Sequence, residues 1–172
     1  MHVALLHPLG MRGIGRYAHN LANAAAPHVE RCSLLTSDRF EPRDLPRAYE
    51  WEPLFRLWDV GARDNREPTA GEKLLRPAEK AVRFLRYDGS YRRAAHWVRR
   101  ERPDVVHAQE ILFWWEIRHL LRMGSGGTRL VVTCHNVEDL GARAGDAGGD
   151  PPRMRRKMAG LYERAAAVIA EQ

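Results

Sequence analysis

The residues whose types best suit binding or catalysis stand directly after short apolar segments of the chain. The first segment, Val3-Ala4-Leu5-Leu6, leads to His7 and then to a stretch that contains three glycines. Glycine lets backbone N–H groups approach a ligand, and the N-terminus of a following helix carries partial positive charge. Arginines among the glycines add guanidinium groups, which suit phosphate oxygens. The residues predicted to form this anion site are Arg12, Gly13, Gly15 and Arg16.

The spacing of the glycines leaves the nature of the ligand open. Gly10, Gly13 and Gly15 give G-x-x-G-x-G, the reverse of the dinucleotide-binding spacing, and no Gly-Lys-Ser/Thr of a P-loop is present. Asp38 does stand about 20 residues beyond the loop, as in nicotinamide-binding domains. A nicotinamide cofactor and a purely structural tight turn are therefore alternatives to a phosphate site.

The second candidate centre follows the apolar segment 130–134. His135 closes this segment, and its imidazole could hydrogen-bond a sugar hydroxyl or transfer a proton, or could simply be satisfied by backbone groups. Asn136 is of a residue type that favours loops and left-handed turns. We predict that His135 is catalytic and that Asn136 binds substrate. Cys134 is predicted to lie in the core, because adjacent residues of a strand point to opposite faces.

A weaker centre lies at the end of the apolar segment 104–107 and in the residues just after it. His107 could contact a ligand or be a packing residue, and the Glu110 carboxylate could accept hydrogen bonds from a hydroxylated substrate. The histidines of the chain form no H-E-x-x-H motif and show no Cys/His ligand spacing, so we predict no metal site. No cofactor is expected.

The apolar and helical patterns alternate along the chain. Segments of strand length are Val3–Leu6, Cys32–Leu35, Asp104–His107, Leu130–Cys134 and Ala167–Ala170. Helical periodicity covers Ile14–Ala25, residues 74–85 with Pro77 in the first turn, a helix capped by Ser90 and ended by Pro103, Ile111–Met123, and a helix that starts at residues 150–152. This alternation predicts a single α/β, Rossmann-like domain over residues 1–172, with a mostly parallel, doubly wound sheet and helices on both faces. Residues 38–72 are expected to be irregular, and residues 141–152 to form a mobile loop.

Composition restricts the class of protein. A chain of 172 residues can bury one core, and no apolar run approaches the roughly 20 residues of a membrane span. The N-terminus lacks the features of a signal peptide, and Cys32 and Cys134 both lie in apolar segments, so a reducing cytoplasmic compartment is expected. The net charge of +6 favours anionic partners. No nucleic-acid-binding module is recognisable.

Two further patterns have alternative interpretations. Trp114 and Trp115 are expected to pack in the core rather than to stack on a sugar. The arginines of the last helix and those of residues 92–102 form either solvated surfaces or peripheral contacts with anionic lipid. A non-enzymatic module that docks on lipid or protein is therefore a second class of function, and a nucleotide-cofactor oxidoreductase a third.

Several segments together resemble the family 4 retaining glycosyltransferases, which have the GT-B fold. They are Gly13-Ile14-Gly15-Arg16-Tyr17 with Asn20-Leu21-Ala22, Asp104-Val105-Val106-His107-Ala108, Val131-Val132-Thr133-Cys134-His135-Asn136, and Arg164-Ala165-Ala166-Ala167-Val168-Ile169-Ala170. In many members two adjacent glycines open the loop and an aspartate follows the histidine, whereas this chain has Arg12 and Asn136 at those positions.

The resemblance implies the N-terminal, acceptor-side domain of a metal-independent enzyme that transfers a sugar from a nucleotide diphosphate donor to a hydroxyl acceptor. It implies that the Gly13/Gly15 loop approaches the donor diphosphate and that His135 lies near the transferred sugar. A C-terminal domain that binds most of the donor is absent from this sequence, whose last residues read as the end of a core strand. We therefore expect a piece of a longer protein that transfers no sugar by itself.

Overall fold

The computed structural model describes residues 1–10, 12–56, 70–109, 111, 113–135 and 151–171, and these residues form one six-stranded sheet between layers of helix. The strands are β1 (His2–His7), β2 (Arg31–Ser37), β3 (Glu50–Phe55), β4 (Val105–Ala108), β5 (Arg129–His135) and β6 (Ala167–Glu171). The helices are α1 (Arg12–Ala25), α2 (Ala70–Glu101), α3 (Ile117–Met123) and α4 (Pro151–Tyr162), with short 3-10 turns at Ala26–His28 and Glu41–Asp44.

All the strand pairs are parallel, and the strand order is β3-β2-β1-β4-β5-β6. This order confirms the predicted doubly wound, Rossmann-like sheet. The chain moves outward from β1 in one direction to β3 and then returns to β4 on the other side of β1. The strand order therefore reverses between β1 and β4, and an open parallel sheet has a crevice at such a position.

The alternation of side chains along the strands divides the core into two clusters. Leu5 and Leu34 pack with Ala18 and Ala22 of α1 on one face of the sheet. On the opposite face, strand residues such as Leu6 join a larger cluster with residues of α2, α3 and α4. Because successive strand residues face opposite ways, buried parallel strands need apolar residues on both faces, which explains the continuous apolar segments of the sequence.

The expectation that residues 38–72 are irregular is wrong at residues 50–55, which form β3, and at residues 70–72, which begin α2. This strand pairs only with β2 and lies at the edge of the sheet, where Pro53 is tolerated because an edge strand needs fewer backbone donors. Only Phe55 of β3 is buried, so the strand lacks the apolar run that marked the central strands.

The two helices expected over residues 74–103 are one continuous helix, α2. Ser90 does not cap a helix: it is buried inside α2, and its Oγ donates to the carbonyl oxygen of Arg86 at 2.9 Å. Pro77 lies beyond the first turn of α2. Tyr87 and Tyr91, one turn apart, are both buried with their rings 5.5 Å apart, so tertiary packing continues through the region where the sequence suggested a break.

The helix expected over Ile111–Met123 is shorter, because α3 begins only at Ile117. Phe113 and Trp115 stack with ring centroids 5.7 Å apart in the preceding turn. Trp115 is buried, which confirms that it packs in the core, whereas Trp114 is half-buried with Lys157 Nζ 4.0 Å from its ring centroid. Of the expected mobile loop at residues 141–152, residues 141–150 lie outside the described residues, and Pro151 and Pro152 begin α4.

Candidate active site

The candidate site lies at the carboxyl edge of the sheet, where β1 and β4 are neighbours. Their register pairs Leu5 with His107 and Leu6 with Ala108, so His7 and Gln109 come directly after the paired residues. The N–H of Gln109 donates to the carbonyl oxygen of Leu6 at 3.0 Å, which extends the pairing by one step. The loops that leave these two strands therefore begin side by side.

The loop after β1 is held in place by close contacts around Gly10. This residue has φ +65°, a left-handed conformation that favours glycine. A Cβ at Gly10 would lie 2.8 Å from Thr36 Oγ1 and 3.1 Å from a ring carbon of Phe40. The Gly10 carbonyl oxygen also accepts from the N–H of Glu41 at 3.0 Å. The loop is therefore fixed against the end of β2 and the segment after it.

Gly13 and Gly15 have different surroundings, although both were predicted to contact an anion. A Cβ at Gly15 would lie 2.8 Å from both the carbonyl carbon and oxygen of Gly10, so Gly15 lets the first turn of α1 rest on the Gly10 peptide. Gly13 is exposed, and a Cβ there would meet no atom of the described residues within 4 Å. Gly15 thus serves the backbone packing of the loop, whereas Gly13 presents its backbone to open space.

The N-terminus of α1 has the polarity that an anion requires. Its first turn contains no acidic residue, and the first N–H groups of a helix point outward without intrahelical partners. The Arg16 side chain is exposed on this turn, whereas the Arg12 side chain lies outside the described part of the structure.

Hydrogen bonds on the buried side of α1 hold the helix on the sheet. His19 Nδ1 lies 2.8 Å from Tyr49 Oη, and Asn23 Nδ2 donates to His19 Nε2 at 3.1 Å. The Ala48 N–H donates to Asn23 Oδ1 at 2.7 Å, which determines the orientation of the amide. Nε2 of His19 is therefore an acceptor, and the ring is neutral with its proton on Nδ1. Burial, with the nearby Arg16 and Arg47 charges, lowers the pKa of His19.

His107 lies on the face of the sheet that α1 covers, because it pairs with Leu5, which packs against α1. It is buried, and its Nε2 lies 2.6 Å from Thr133 Oγ1 on β5. His7 is two residues beyond Leu5 on the same side of β1, and it is fully buried. Both of these strand-end histidines are thus internal residues near the crevice rather than exposed groups.

Sequence reasoning missed two buried polar side chains at this edge. Thr36 ends the apolar run of β2, and Gln109 follows β4; both are fully buried. Within the described part of the chain, Thr36 Oγ1 and both amide atoms of Gln109 have no hydrogen-bond partner. A buried polar group without a partner costs about 1–3 kcal/mol, which a ligand or a rearrangement on binding would relieve. The available signal was their position: Thr36 directly follows the apolar residues of β2, and Gln109 directly follows β4.

The remaining predicted site residues are only partly described. His135 is the last residue of β5 and pairs with Glu171 of β6, so its backbone lies at the same edge as the ends of β1 and β4. Its side chain and that of Cys134 lie outside the described part of the structure, as do Glu110 and Asn136. Their predicted roles stay predictions.

Other kinds of chemistry find little support among the described residues. No group of three His, Cys, Asp or Glu side chains there is arranged to hold a metal ion. Cys32 is buried, and burial raises the pKa of its thiol to about 11, which disfavours a thiolate nucleophile. In the described helices, no segment is both long and apolar enough to cross a membrane.

A comparison with family models agrees with the expected class. The family model described as Glycosyltransferase Family 4 matches residues 11–171. A comparison with curated proteins found no match. Among solved structures, the chain is similar to UGT73P12 of Glycyrrhiza uralensis, crystallised with glycyrrhetinic acid 3-O-monoglucuronide, at a TM-score of 0.46 and 13% identity. That similarity covers 81% of this chain and 29% of the other, so this chain spans less than a third of that protein. From the family-model match, the chain belongs to Glycosyltransferase Family 4.

Proposed function

We propose that this chain is the N-terminal, acceptor-side domain of a retaining glycosyltransferase that moves a sugar from a nucleotide diphosphate donor to a hydroxyl acceptor. Family membership supports glycosyl transfer as the activity. The observation that supports the location of the site is that the loops after β1 and β4 begin side by side at the carboxyl edge of the sheet, where the strand order reverses.

The proposed role of this loop is to stabilise the leaving nucleoside diphosphate. Backbone N–H groups that already point at the developing negative charge need no reorganisation during the reaction. Gly13 would let the backbone approach a phosphate oxygen, because no atom of the described residues lies within 4 Å of the Cβ position there. Arg12 and Arg16 would add positive charge on the same turn, to either the diphosphate or an anionic acceptor.

His135 is proposed to orient or protonate a group near the reacting sugar, as the family resemblance implies. His107, Glu110 and Asn136 are proposed to line the substrate site at the ends of β4 and β5. For His107 the support is its hydrogen-bonding distance to Thr133, which holds the ring at the edge of the crevice. Gln109 joins this set because its buried amide has unused hydrogen-bonding capacity, which suits a hydroxylated substrate.

A C-terminal domain is proposed to bind most of the nucleotide sugar, so residues 1–172 alone should fold but not transfer sugar. The test uses purified residues 1–172 and the polypeptide extended by that domain, assayed with a panel of nucleotide diphosphate sugars. Transfer by the extended protein alone, with the donor's anomeric configuration retained by NMR, supports the proposal. Turnover by residues 1–172, inversion, or binding of reduced nicotinamide instead of nucleotide sugar contradicts it.

The role of His135 is tested by His135→Ala in the active protein, with His28→Ala as the matched control. His28 is exposed in the 3-10 turn after α1, away from the carboxyl edge of the sheet. We expect His135→Ala to lower kcat/KM by at least about 100-fold, as for loss of a general acid or base, and His28→Ala to leave it unchanged. Equal activities of the two variants would remove His135 from the site.

A further inference from the structure

The outward face of α2 has a composition that the sugar-transfer site does not explain. Steps of three or four residues along the helix define one continuous row, which we call the α2 ridge: Ala78, Ala81, Val82, Leu85, Gly89, Arg92, His96, Arg99 and Arg100. Except for the half-buried Gly89, all of these residues are exposed. The opposite face of α2, with Tyr91, Ala94 and Val98, packs on the sheet.

The first half of the α2 ridge is apolar although it faces solvent. Leu85 is 65% exposed and Val82 is 47% exposed. Phe84, beside the ridge, is 43% exposed even though its ring packs edge-on against Trp115 at 4.9 Å. Single exposed apolar residues are ordinary, but a row of them along one helix face indicates a surface that binds something.

The second half of the α2 ridge is basic and contains no acidic residue. The side chain of Arg92 is 72% exposed and that of Arg100 is 63% exposed, although each forms an ion pair with a carboxylate of α2. Arg86 and Arg93 are exposed next to the ridge. Exposed arginines of α2 thus lie in line with its exposed apolar residues.

We propose that the α2 ridge docks the protein on a bilayer that contains anionic phospholipid. A helix face that carries aliphatic residues and arginines along one row suits the boundary between headgroups and acyl chains. The arginines face anionic headgroups, each contributing about 1 kcal/mol near such a surface. A second copy of the chain fits less well, because pairing two ridges places arginines against arginines or against aliphatic residues with no countercharge.

The direction of α2 gives this docking a consequence for the candidate site. The Arg56 N–H, just beyond β3, donates to Ser90 Oγ of α2 at 3.2 Å, and α2 ends shortly before the start of β4, so the apolar half of the ridge lies toward the carboxyl edge of the sheet. The contact between Phe84 and Trp115 joins this half to the segment that follows β4. The apolar half is therefore the part of the docking surface that lies closest to the candidate site. The docking itself does not depend on the proposed transfer reaction.

Co-sedimentation with lipid vesicles tests the proposal, using phosphatidylcholine alone and phosphatidylcholine mixed with phosphatidylglycerol. The chain should bind the mixed vesicles, and binding should weaken as salt is added. Leu85→Gln should lower the partition coefficient about tenfold. Arg99→Gln with Arg100→Gln should lower it about fivefold per arginine.

Matched controls separate the ridge from general hydrophobicity and charge. Leu45→Gln changes another exposed leucine, and Arg43→Gln with Arg129→Gln removes two exposed arginines elsewhere; both should bind as the unchanged chain does. Circular dichroism checks that every variant is folded. No binding to mixed vesicles, or equal binding by the ridge and control variants, would overturn the proposal. A dimer that Leu85→Gln dissociates, or nucleic-acid binding that needs only the arginines, would also overturn it in favour of that partner.

Discussion

Replacing Gly15 by alanine should destabilise the protein, whereas the same change at Gly13 should not. A Cβ at Gly15 would lie 2.8 Å from two backbone atoms of Gly10, and backbone cannot move aside as a flexible side chain can. Such overpacking costs about 1–3 kcal/mol. Alanine gains up to about 1 kcal/mol over glycine inside a helix. Gly13→Ala has that gain without the clash, because a Cβ at Gly13 has open space.

The pair of variants isolates the steric contribution, since both sites lie in the first turn of α1 and the helix-propensity gain largely cancels between them. The expected difference in the free energy of unfolding is about 2 kcal/mol, with Gly15→Ala the less stable. With a urea slope of about 2 kcal/mol per M, the unfolding midpoints should differ by about 1 M. Equal midpoints, or a less stable Gly13→Ala, would refute the packing of α1 on the Gly10 peptide.

Three further predictions concern the interior. Thr133→Val should cost about 1–3 kcal/mol of stability in urea unfolding, because His107 Nε2 loses a buried partner at 2.6 Å; no loss would contradict that bond. The free energy of unfolding of the unchanged chain should fall as pH drops below 6.5. Burial lowers the pKa of His19 in the folded state, so this histidine takes up its proton in the unfolded chain first. His19→Gln should flatten the dependence of stability on pH, and an identical dependence in both proteins would contradict the neutral ring. Trp115→Ala should cost about 3–5 kcal/mol by thermal or urea unfolding and the half-buried Trp114→Ala clearly less, whereas similar losses would contradict their different burial.

The central strands could be predicted from the sequence because both of their faces are buried. β1, β2, β4 and β5 lie inside the sheet, and their continuous apolar segments are a direct result. β3 could not be found in this way, because an edge strand with Pro53 and little burial lacks that run. The continuity of α2 also depends on tertiary contacts: Ser90 is a typical cap residue, but the packing of Tyr87 and Tyr91 outweighs that local preference.

The candidate site shows the same division between local and tertiary information. Apolar runs that end in polar residues placed His107 and the backbone of His135 at one edge, since parallel strands share a direction. The different roles of Gly13 and Gly15 depend on where the first turn of α1 meets the Gly10 peptide, which no spacing encodes. Gln109 stands out only because its surroundings leave its buried amide without partners among the described residues.

The central claim is that an anionic donor group meets the backbone at Gly13, and a pair of variants of equal size tests it most directly. Gly13→Asp and Gly13→Asn both place a short side chain in open space, so both should leave the fold intact. An aspartate is favourable at a helix N-terminus, so a loss of activity in Gly13→Asp would reflect the charge at the site rather than a loss of stability.

The measurement is kcat/KM for sugar transfer by the active protein carrying each substitution. A unit charge about 6 Å from a phosphate, at an effective dielectric constant of about 20, is repelled by about 2.8 kcal/mol, which is about 100-fold in rate. The account predicts that Gly13→Asp is about 100-fold less active than Gly13→Asn. Equal activities of the two variants would contradict it.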